Sequence, residues 1–107
     1  MLLKIKPFSV NEAWRGARRF RTEKYKQYEK QLLLLLPTLD IPAGDLALRL
    51  KVGFSSRASD IDNAIKPFLD ICQKKYNIND KRFFYVSALK EIVKKGEEYI
   101  LFDIGTI

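Results

Sequence analysis

In the stretch from Ser59 to Asp80, three of the aspartates and one of the lysines have a spacing that could support chemistry. Asp60 and Asp62 are separated by a single residue, Lys66 follows them, and Asp80 comes after a short apolar segment. Mg²⁺ prefers oxygen ligands and is commonly held by one or two carboxylates together with water and phosphate oxygens. A lysine beside such carboxylates can place its positive charge against the same phosphate. The residue types suit metal-assisted cleavage of a phosphodiester, although the same acids could also serve only to cap a helix and a turn.

The spacing of Asp60 and Asp62 predicts the shape of the backbone between them. Side chains two residues apart share a face in an extended segment but not in a helix. If both bind one metal ion, this segment is therefore expected to be extended or turn-like. Pro67 disfavours helical backbone at Lys66 and is best tolerated in the first turn of a helix. We therefore predict that the regular helix begins between Asn63 and Pro67, with Asn63 as its N-cap and the helix N-terminus beside the acids.

The charge of the chain indicates a polyanionic partner. The 107 residues carry a formal net charge of +7, with 47% hydrophobic and 31% charged residues, which is typical of one globular domain. Nucleic acid is the first partner to consider, and an anionic membrane surface is the second. A basic nucleic-acid-binding protein without catalytic activity would carry a similar charge.

The scarcity of histidine and cysteine excludes several kinds of site. The chain has no histidine, and Cys72 is its one cysteine. Serine–histidine triads, Cys–His zinc sites and intrachain disulfides are therefore excluded. Any proton transfer must use carboxylates, lysine, tyrosine or water. The longest apolar run, Leu32 to Leu36, is too short to cross a bilayer, and the N-terminus has no secretory pattern, so we expect a cytoplasmic protein.

Hydrophobic periodicity predicts an α+β fold for residues 1–107, organised as a single domain with a mixed sheet and about two helices in the order β-α-β-α-β-β. A central helix with an apolar stripe through Ile65, Phe68, Leu69 and Cys72 is expected to face the core. Lys94 to Gly96 is expected to be a tight turn that joins the last two strands as a hairpin. The other predicted elements are strands over 1–8, 46–54, 83–93 and 97–104, and a helix over 23–36.

Residues 9–22 show neither a helical nor a strand period, which predicts an irregular loop. Arginine forks suit phosphates, and aromatic faces suit unstacked bases. The arginines of this segment are therefore expected to contact nucleic acid, whereas its aromatic side chains suit either the core or a base. The complete set of expected nucleic-acid contacts is Trp14, Arg15, Arg18, Arg19, Arg21, Lys24, Asn63, Lys81, Arg82 and Lys90.

These motifs resemble the RusA-type Holliday-junction resolvases, which are small endodeoxyribonucleases common in bacteriophages and prophages. The segment Ser9-Val10-Asn11 with Trp14, Gly16, Arg18 to Phe20 and Thr22 is similar to the family's N-terminal segment. Asp60-Ile61-Asp62-Asn63, then Lys66 and Leu69-Asp70, resembles its central motif, and Asp80 and Lys90 also have counterparts in the family. Asn79 stands where many members carry a further acid.

The resemblance implies a homodimer that binds four-way DNA junctions and makes two symmetric, Mg²⁺-dependent nicks, as in DNA recombination and repair. It implies that Asp60, Asp62 and Asp80 hold the metal ion and that Lys66 is catalytic, with Mn²⁺ a possible substitute for Mg²⁺. Two alternatives remain open. One is a non-catalytic nucleic-acid-binding module, and the other is a nuclease with the same chemistry that cuts flaps, forks or RNA.

Overall fold

A computed structural model describes residues 1–8, 14–15, 20–21 and 23–107, and for residues 14–15 and 20–21 it describes the backbone alone. The described elements confirm the predicted α+β class, with a four-stranded mixed sheet and two α-helices. In chain order they are β1 (Leu2–Leu3), β2 (Trp14–Arg15), β3 (Phe20–Arg21), α1 (Glu23–Leu35), β4 (Leu46–Phe54), α2 (Ile61–Tyr76), a 3-10 turn (Asp80–Arg82), β5 (Phe83–Ile92) and β6 (Tyr99–Thr106).

The most apolar strand, β4, occupies the centre of the sheet. The strand order is β1-β6-β4-β5, with β4 parallel to β5 and antiparallel to β6. The predicted hairpin between the last two strands is therefore wrong, because β4 lies between them. Helix α2 instead connects two parallel strands, and the chain then passes the end of β4, where the Val93 amide donates to the Phe54 carbonyl at 2.8 Å. Gly96, with φ +93°, supplies the turn that leads into β6.

The first strand is much shorter than predicted. It covers Leu2–Leu3 and pairs with β6, and the Met1 ammonium donates to the Phe102 carbonyl at 2.7 Å. Pro7 has no N–H to offer a sheet. The following Phe8 ring packs at 5.3 Å from the ring of Tyr28 on α1. The chain therefore leaves the sheet after β1 in order to fill the space beneath α1.

Both helices cover the same face of the sheet, and alternate residues of β4 meet them in one hydrophobic core. Phe68 of α2 lies edge-on to Phe102 of β6, with ring centroids 5.3 Å apart. Cys72 is fully buried, as its place on the apolar stripe predicted, and burial raises the pKa of its thiol to about 12. The Tyr76 hydroxyl donates to the Pro37 carbonyl at 2.7 Å and fastens the end of α2 to the end of α1. Neither described helix has the length and apolarity that crossing a bilayer requires.

The uncovered face of the sheet has a close contact at Gly53. A Cβ atom built there would lie 2.4 Å from Cε1 of Tyr99, so the tyrosine ring lies directly over the glycine. The Tyr99 hydroxyl reaches across β4 and donates to Oε1 of Glu91 on β5 at 2.9 Å. Gly53 therefore permits a side-chain bridge between the two strands that flank β4.

Within the arginine-rich segment, β2 and β3 pair as a short antiparallel ladder, Trp14 opposite Arg21 and Arg15 opposite Phe20. The expectation of a wholly irregular loop is therefore wrong for these four residues. In each of the two backbone pairs an aromatic residue therefore lies opposite an arginine. The expected contacts Arg18 and Arg19 lie outside the described residues.

Candidate functional site

Helix α2 begins earlier than its sequence predicted. Asp60 is the N-cap residue with φ −91° and ψ 124°, and Asp62 already belongs to the first turn. The prediction that the helix begins between Asn63 and Pro67, with Asn63 as N-cap, is therefore wrong, as is the expectation of extended backbone through Asp62. Pro67 lies inside the helix and cannot donate to the Asn63 carbonyl. Its side chain is fully buried, and burial of this apolar surface offsets the lost hydrogen bond.

Asp60 and Asp62 consequently have different backbone conformations, extended at Asp60 and helical at Asp62. Asp60 is extended, and its Oδ2 accepts a hydrogen bond from Nδ2 of Asn63 at 3.2 Å. Asp62 is exposed on the first turn of α2. Asn63, which was expected to contact DNA, thus orients the carboxylate that precedes the helix.

Lys66 lies on the outward face of α2 between two carboxylates, because Asp62 is one turn before it and Asp70 one turn after it. Its Nζ donates to Oδ1 of Asp70 at 2.9 Å. This hydrogen bond is the main reason that the pKa of Lys66 is raised above its ordinary value, and the charge of Asp80 acts in the same direction. Asp70 was named above only as part of the motif, and its spacing of four residues from Lys66 was the signal for this ion pair.

Asp80 opens the 3-10 turn that follows α2 and is held back against that helix. Its Oδ1 accepts a hydrogen bond from Nε2 of Gln73 at 2.8 Å. The turn itself is capped by Asn79, whose Oδ1 accepts from the Lys81 amide at 2.9 Å. Gln73 is a second residue that the sequence reasoning missed, since a lone glutamine on a helix gives no signal without its partner.

The structure separates the acids into two places along α2. Asp62 and Gln73, the residue that holds Asp80, are separated by about 16 Å of helix axis at the usual rise per residue. In the described part of the chain, no three acidic or other metal-binding side chains lie close enough together to hold one ion. Lys66, Asp70 and Asp80 lie near one another beside the middle of α2, whereas Asp60 precedes the first turn of the helix. Sharing of a single ion by Asp60, Asp62 and Asp80 stays a prediction.

Like Asn63, two further expected DNA contacts have protein partners. Nζ of Lys90 donates to the Arg57 carbonyl at 2.8 Å and to the Ser59 carbonyl, so Lys90 braces the loop that delivers Asp60 to the helix. The Arg82 guanidinium donates through Nε to the Gly44 carbonyl at 3.1 Å, and through Nη2 to the Pro42 carbonyl. Their contacts with DNA stay predictions.

The structure describes the side chains of some of the remaining expected DNA contacts and only the backbone of others. Lys24 and Lys81 are both exposed. For Trp14, Arg15 and Arg21 the described backbone gives the strand pairing alone. Their roles in DNA binding stay predictions as well.

A cavity of about 350 Å³ adjoins the start of α2. Asp60 and Asn63 line it together with Lys6, Ser55 and Glu98. The Glu98 carboxylate accepts hydrogen bonds from Oγ of Ser55 at 2.9 Å and from the Gly96 amide at 2.7 Å. Hydrogen bonds, first from its own backbone N–H and then from Ser55, lower the pKa of Glu98. Glu98 is therefore an ionised acceptor with a fixed orientation, and it had no signal in the sequence.

No protein-family model matches the chain, and none of the curated proteins compared with it is significantly similar. The functional assignment therefore depends on the chemistry of these residues and on the resemblance of the motifs described above.

Proposed function

We propose that this protein is a Mg²⁺-dependent, structure-specific endodeoxyribonuclease that resolves four-way DNA junctions by paired symmetric nicks in recombination and repair. The observation that carries the proposal is the outward face of α2, where Lys66 lies among carboxylates on a strongly basic chain. Carboxylates beside a phosphate-binding surface repel the substrate unless a cation lies between them. A lysine held 2.9 Å from Asp70, with Asp80 nearby, is a suitable arrangement for binding a phosphodiester together with such a cation.

The donor set fits Mg²⁺, with Mn²⁺ as a substitute. The aspartates offer hard oxygen ligands on an exposed surface, and Mg²⁺ needs one or two carboxylates when water and phosphate complete its coordination. Asp60, Asp62 and Asp80 are the proposed ligands, and because the structure separates them along α2, their described positions allow direct coordination by one or two of them. When bound, the ion supplies Lewis-acid activation of water and neutralises charge on the phosphodiester.

Lys66 acts in this proposal as a fixed positive charge. Since its pKa is raised, the ammonium remains protonated at physiological pH and cannot serve as a general base. Asp70 restrains the ammonium in one position on the helix face. A positive charge held in place stabilises the negative charge that develops on the phosphate oxygens in the transition state.

Affinity for DNA comes, in this proposal, from the excess of basic residues. The net charge of +7 favours phosphate binding through counterion release. We expect junction affinity to fall steeply as salt increases. A shallow dependence of affinity on salt would contradict nucleic acid as the partner.

A four-way junction has two-fold symmetry, which favours a two-fold homodimer with one catalytic surface for each nick. We propose the cytoplasm as the place of action.

The test is cleavage of an end-labelled four-way junction in Mg²⁺, beside duplex, flap and fork substrates of the same sequence. The expected result is a pair of symmetric nicks that disappears with EDTA and in Asp80→Asn. Gel-shift affinity of Asp80→Asn is measured in parallel and should be retained or increased, because the substitution removes repulsion toward phosphate. Preferential cleavage of a flap, a fork or RNA would keep the chemistry and change the assigned substrate.

A non-catalytic nucleic-acid-binding module is the second candidate, and one observation favours it. Asp60 and Asp80 each already have a neutral side-chain partner on α2, Asn63 and Gln73 respectively. Hydrogen bonds of this kind are common where acids serve only to shape a helix end or a turn. This candidate predicts tight junction binding that is unchanged by EDTA and yields no metal-dependent product.

A further inference from the structure

The cavity at the start of α2 has a size and a lining that the proposed chemistry does not explain. Its volume of about 350 Å³ is too large for a single phosphate oxygen contact and lies at the lower end of the size range of small-molecule sites. The walls include the apolar side chains of Pro7, Phe54 and Ala64, and the polar groups Lys6, Asp60 and Glu98 converge on it. An apolar wall with a few converging polar groups is the usual form of a site for a flat organic ligand.

The local charge decides which part of a nucleotide this cavity suits. Two carboxylates, Asp60 and Glu98, line it with one ammonium, Lys6. This balance is negative on a chain whose overall charge is +7. A phosphate group is therefore disfavoured inside the cavity, whereas an uncharged base that carries hydrogen-bond donors is favoured.

The orientation of Glu98 supports the same conclusion. Hydrogen bonds from the Ser55 hydroxyl and the Gly96 amide hold its carboxylate before any ligand arrives. A fixed carboxylate accepts well from the exocyclic amino group of a base, as glutamate and aspartate do in DNA recognition. Lys6, which also lines the cavity, can donate to a ring nitrogen or a carbonyl oxygen of the same base.

We propose that this cavity receives one unpaired nucleobase of the branched DNA, with Glu98 accepting a hydrogen bond from its exocyclic amino group. The inference rests on the proposed function, because Asp60 belongs both to the cavity wall and to the candidate metal ligands. The captured base therefore belongs to a nucleotide next to the phosphate bound on the outward face of α2. Branch points supply such bases at low cost, since their stacking is already interrupted.

The test uses four-way junctions that carry adenine, or purine without the amino group, at single positions around the branch point and opposite an abasic site. Junction affinity is measured in EDTA for the wild type, Glu98→Ala and the matched control Glu97→Ala, which removes the same charge from the neighbouring residue. One charge-assisted hydrogen bond predicts about a tenfold preference for adenine at one position. The wild type and Glu97→Ala should show this preference, and Glu98→Ala should lose it.

A second measurement detects the base leaving the stack. With 2-aminopurine at the preferred position, binding of the wild type should raise the fluorescence, while Ala58→Trp, which fills the cavity from its exposed loop, should not raise it. An adenine preference that survives in Glu98→Ala, or its absence at every position, would overturn the cavity proposal. If junctions are still bound and cut in that case, the proposed function stands. If no branched DNA is bound or cut, both proposals fall.

Discussion

The substitution Lys66→Ala tests whether Lys66 is a catalytic residue or an ordinary surface lysine. The Lys66 side chain is 62% exposed and that of its partner Asp70 is 37% exposed. Exposed ion pairs one helical turn apart contribute about 0.3–0.5 kcal/mol, so the free energy of unfolding should change by less than about 0.5 kcal/mol. Loss of one preorganised charge facing the transition state lowers turnover by roughly 10²–10³, or about 2.7–4 kcal/mol. The expected effect on the rate is thus several times the effect on stability.

Lys74→Ala is the matched control. Lys74 lies on the same helix, its side chain is 59% exposed, and it forms an ion pair with Glu29 at 3.3 Å. The two variants remove the same charge from similar surroundings, so they should lose a similar, small part of the electrostatic affinity for DNA. Single-turnover cleavage of a labelled junction in Mg²⁺ and gel-shift affinity in EDTA are measured for both.

We predict that Lys66→Ala binds the junction like Lys74→Ala but cuts it far more slowly. Equal single-turnover rates for the two variants would refute a catalytic role for Lys66. Parallel losses of affinity and rate in Lys66→Ala alone would make Lys66 a phosphate contact that binds ground state and transition state equally.

Three further predictions concern stability. Gly53→Ala should lower the free energy of unfolding by about 1–3 kcal/mol, because the new Cβ would displace the Tyr99 ring, and urea denaturation checks this. An unchanged midpoint would show that the ring moves aside freely. Tyr28→Phe should raise the free energy of unfolding by about 1 kcal/mol, since the buried Tyr28 hydroxyl has no hydrogen-bond partner among the described residues. A loss of stability in the same denaturation experiment would reveal a partner for that hydroxyl. The hydrogen bond to Asp70 raises the pKa of Lys66 above 10.5, so the stabilisation that depends on its charge is complete below pH 10.5 and lost as pH rises through the folded-state pKa. The difference in unfolding free energy between wild type and Lys66→Ala should stay constant from about pH 7 to 9 and change above 10.5, and a change already at pH 9 would contradict the raised pKa.

The elements with clear periodicity could be predicted from the sequence. The strict alternation over Leu46–Phe54 gave β4 with the bounds that the structure has. The stripe along α1 gave that helix to within one residue, since Pro37 stops it. These features depend on local pattern alone.

Features that depend on distant residues could not be predicted in this way. The rule that proline disfavours a helix is local, but burial of Pro67 in the core outweighs it and lets α2 begin at Ile61. The turn at Lys94 to Gly96 has the sequence of a hairpin turn. However, β5 pairs with β4 in parallel, so β4 lies between β5 and β6 and the two strands joined by the turn do not pair. Strand pairing across a crossover helix leaves no signal at the turn itself.

In the candidate site, too, some features follow from the local sequence and others depend on distant residues. Residue types and spacing led to the prediction that Asp60, Asp62, Lys66 and Asp80 carry metal-assisted chemistry, and this stays a prediction. Their mutual positions depend on partners whose role is not visible in the sequence, such as Gln73 for Asp80 and Asn63 for Asp60. Hydrogen bonds between side chains of a helix and side chains of the residues that flank it are therefore the part of a site that is hardest to predict from sequence.

The position of the cut phosphate along α2 links the two proposals. A phosphate beside Lys66 has Asp62 and Asp70 one turn away on either side, at about 6 Å of helix rise each. Asp80 can reach such a phosphate from the following turn, since its charge already acts on Lys66. Asp60 directly precedes the first turn of α2, where it borders both the proposed metal site and the cavity. Chemistry centred on Lys66 therefore places Asp60 between the cut phosphate and the neighbouring nucleotide, whose base the cavity is proposed to hold.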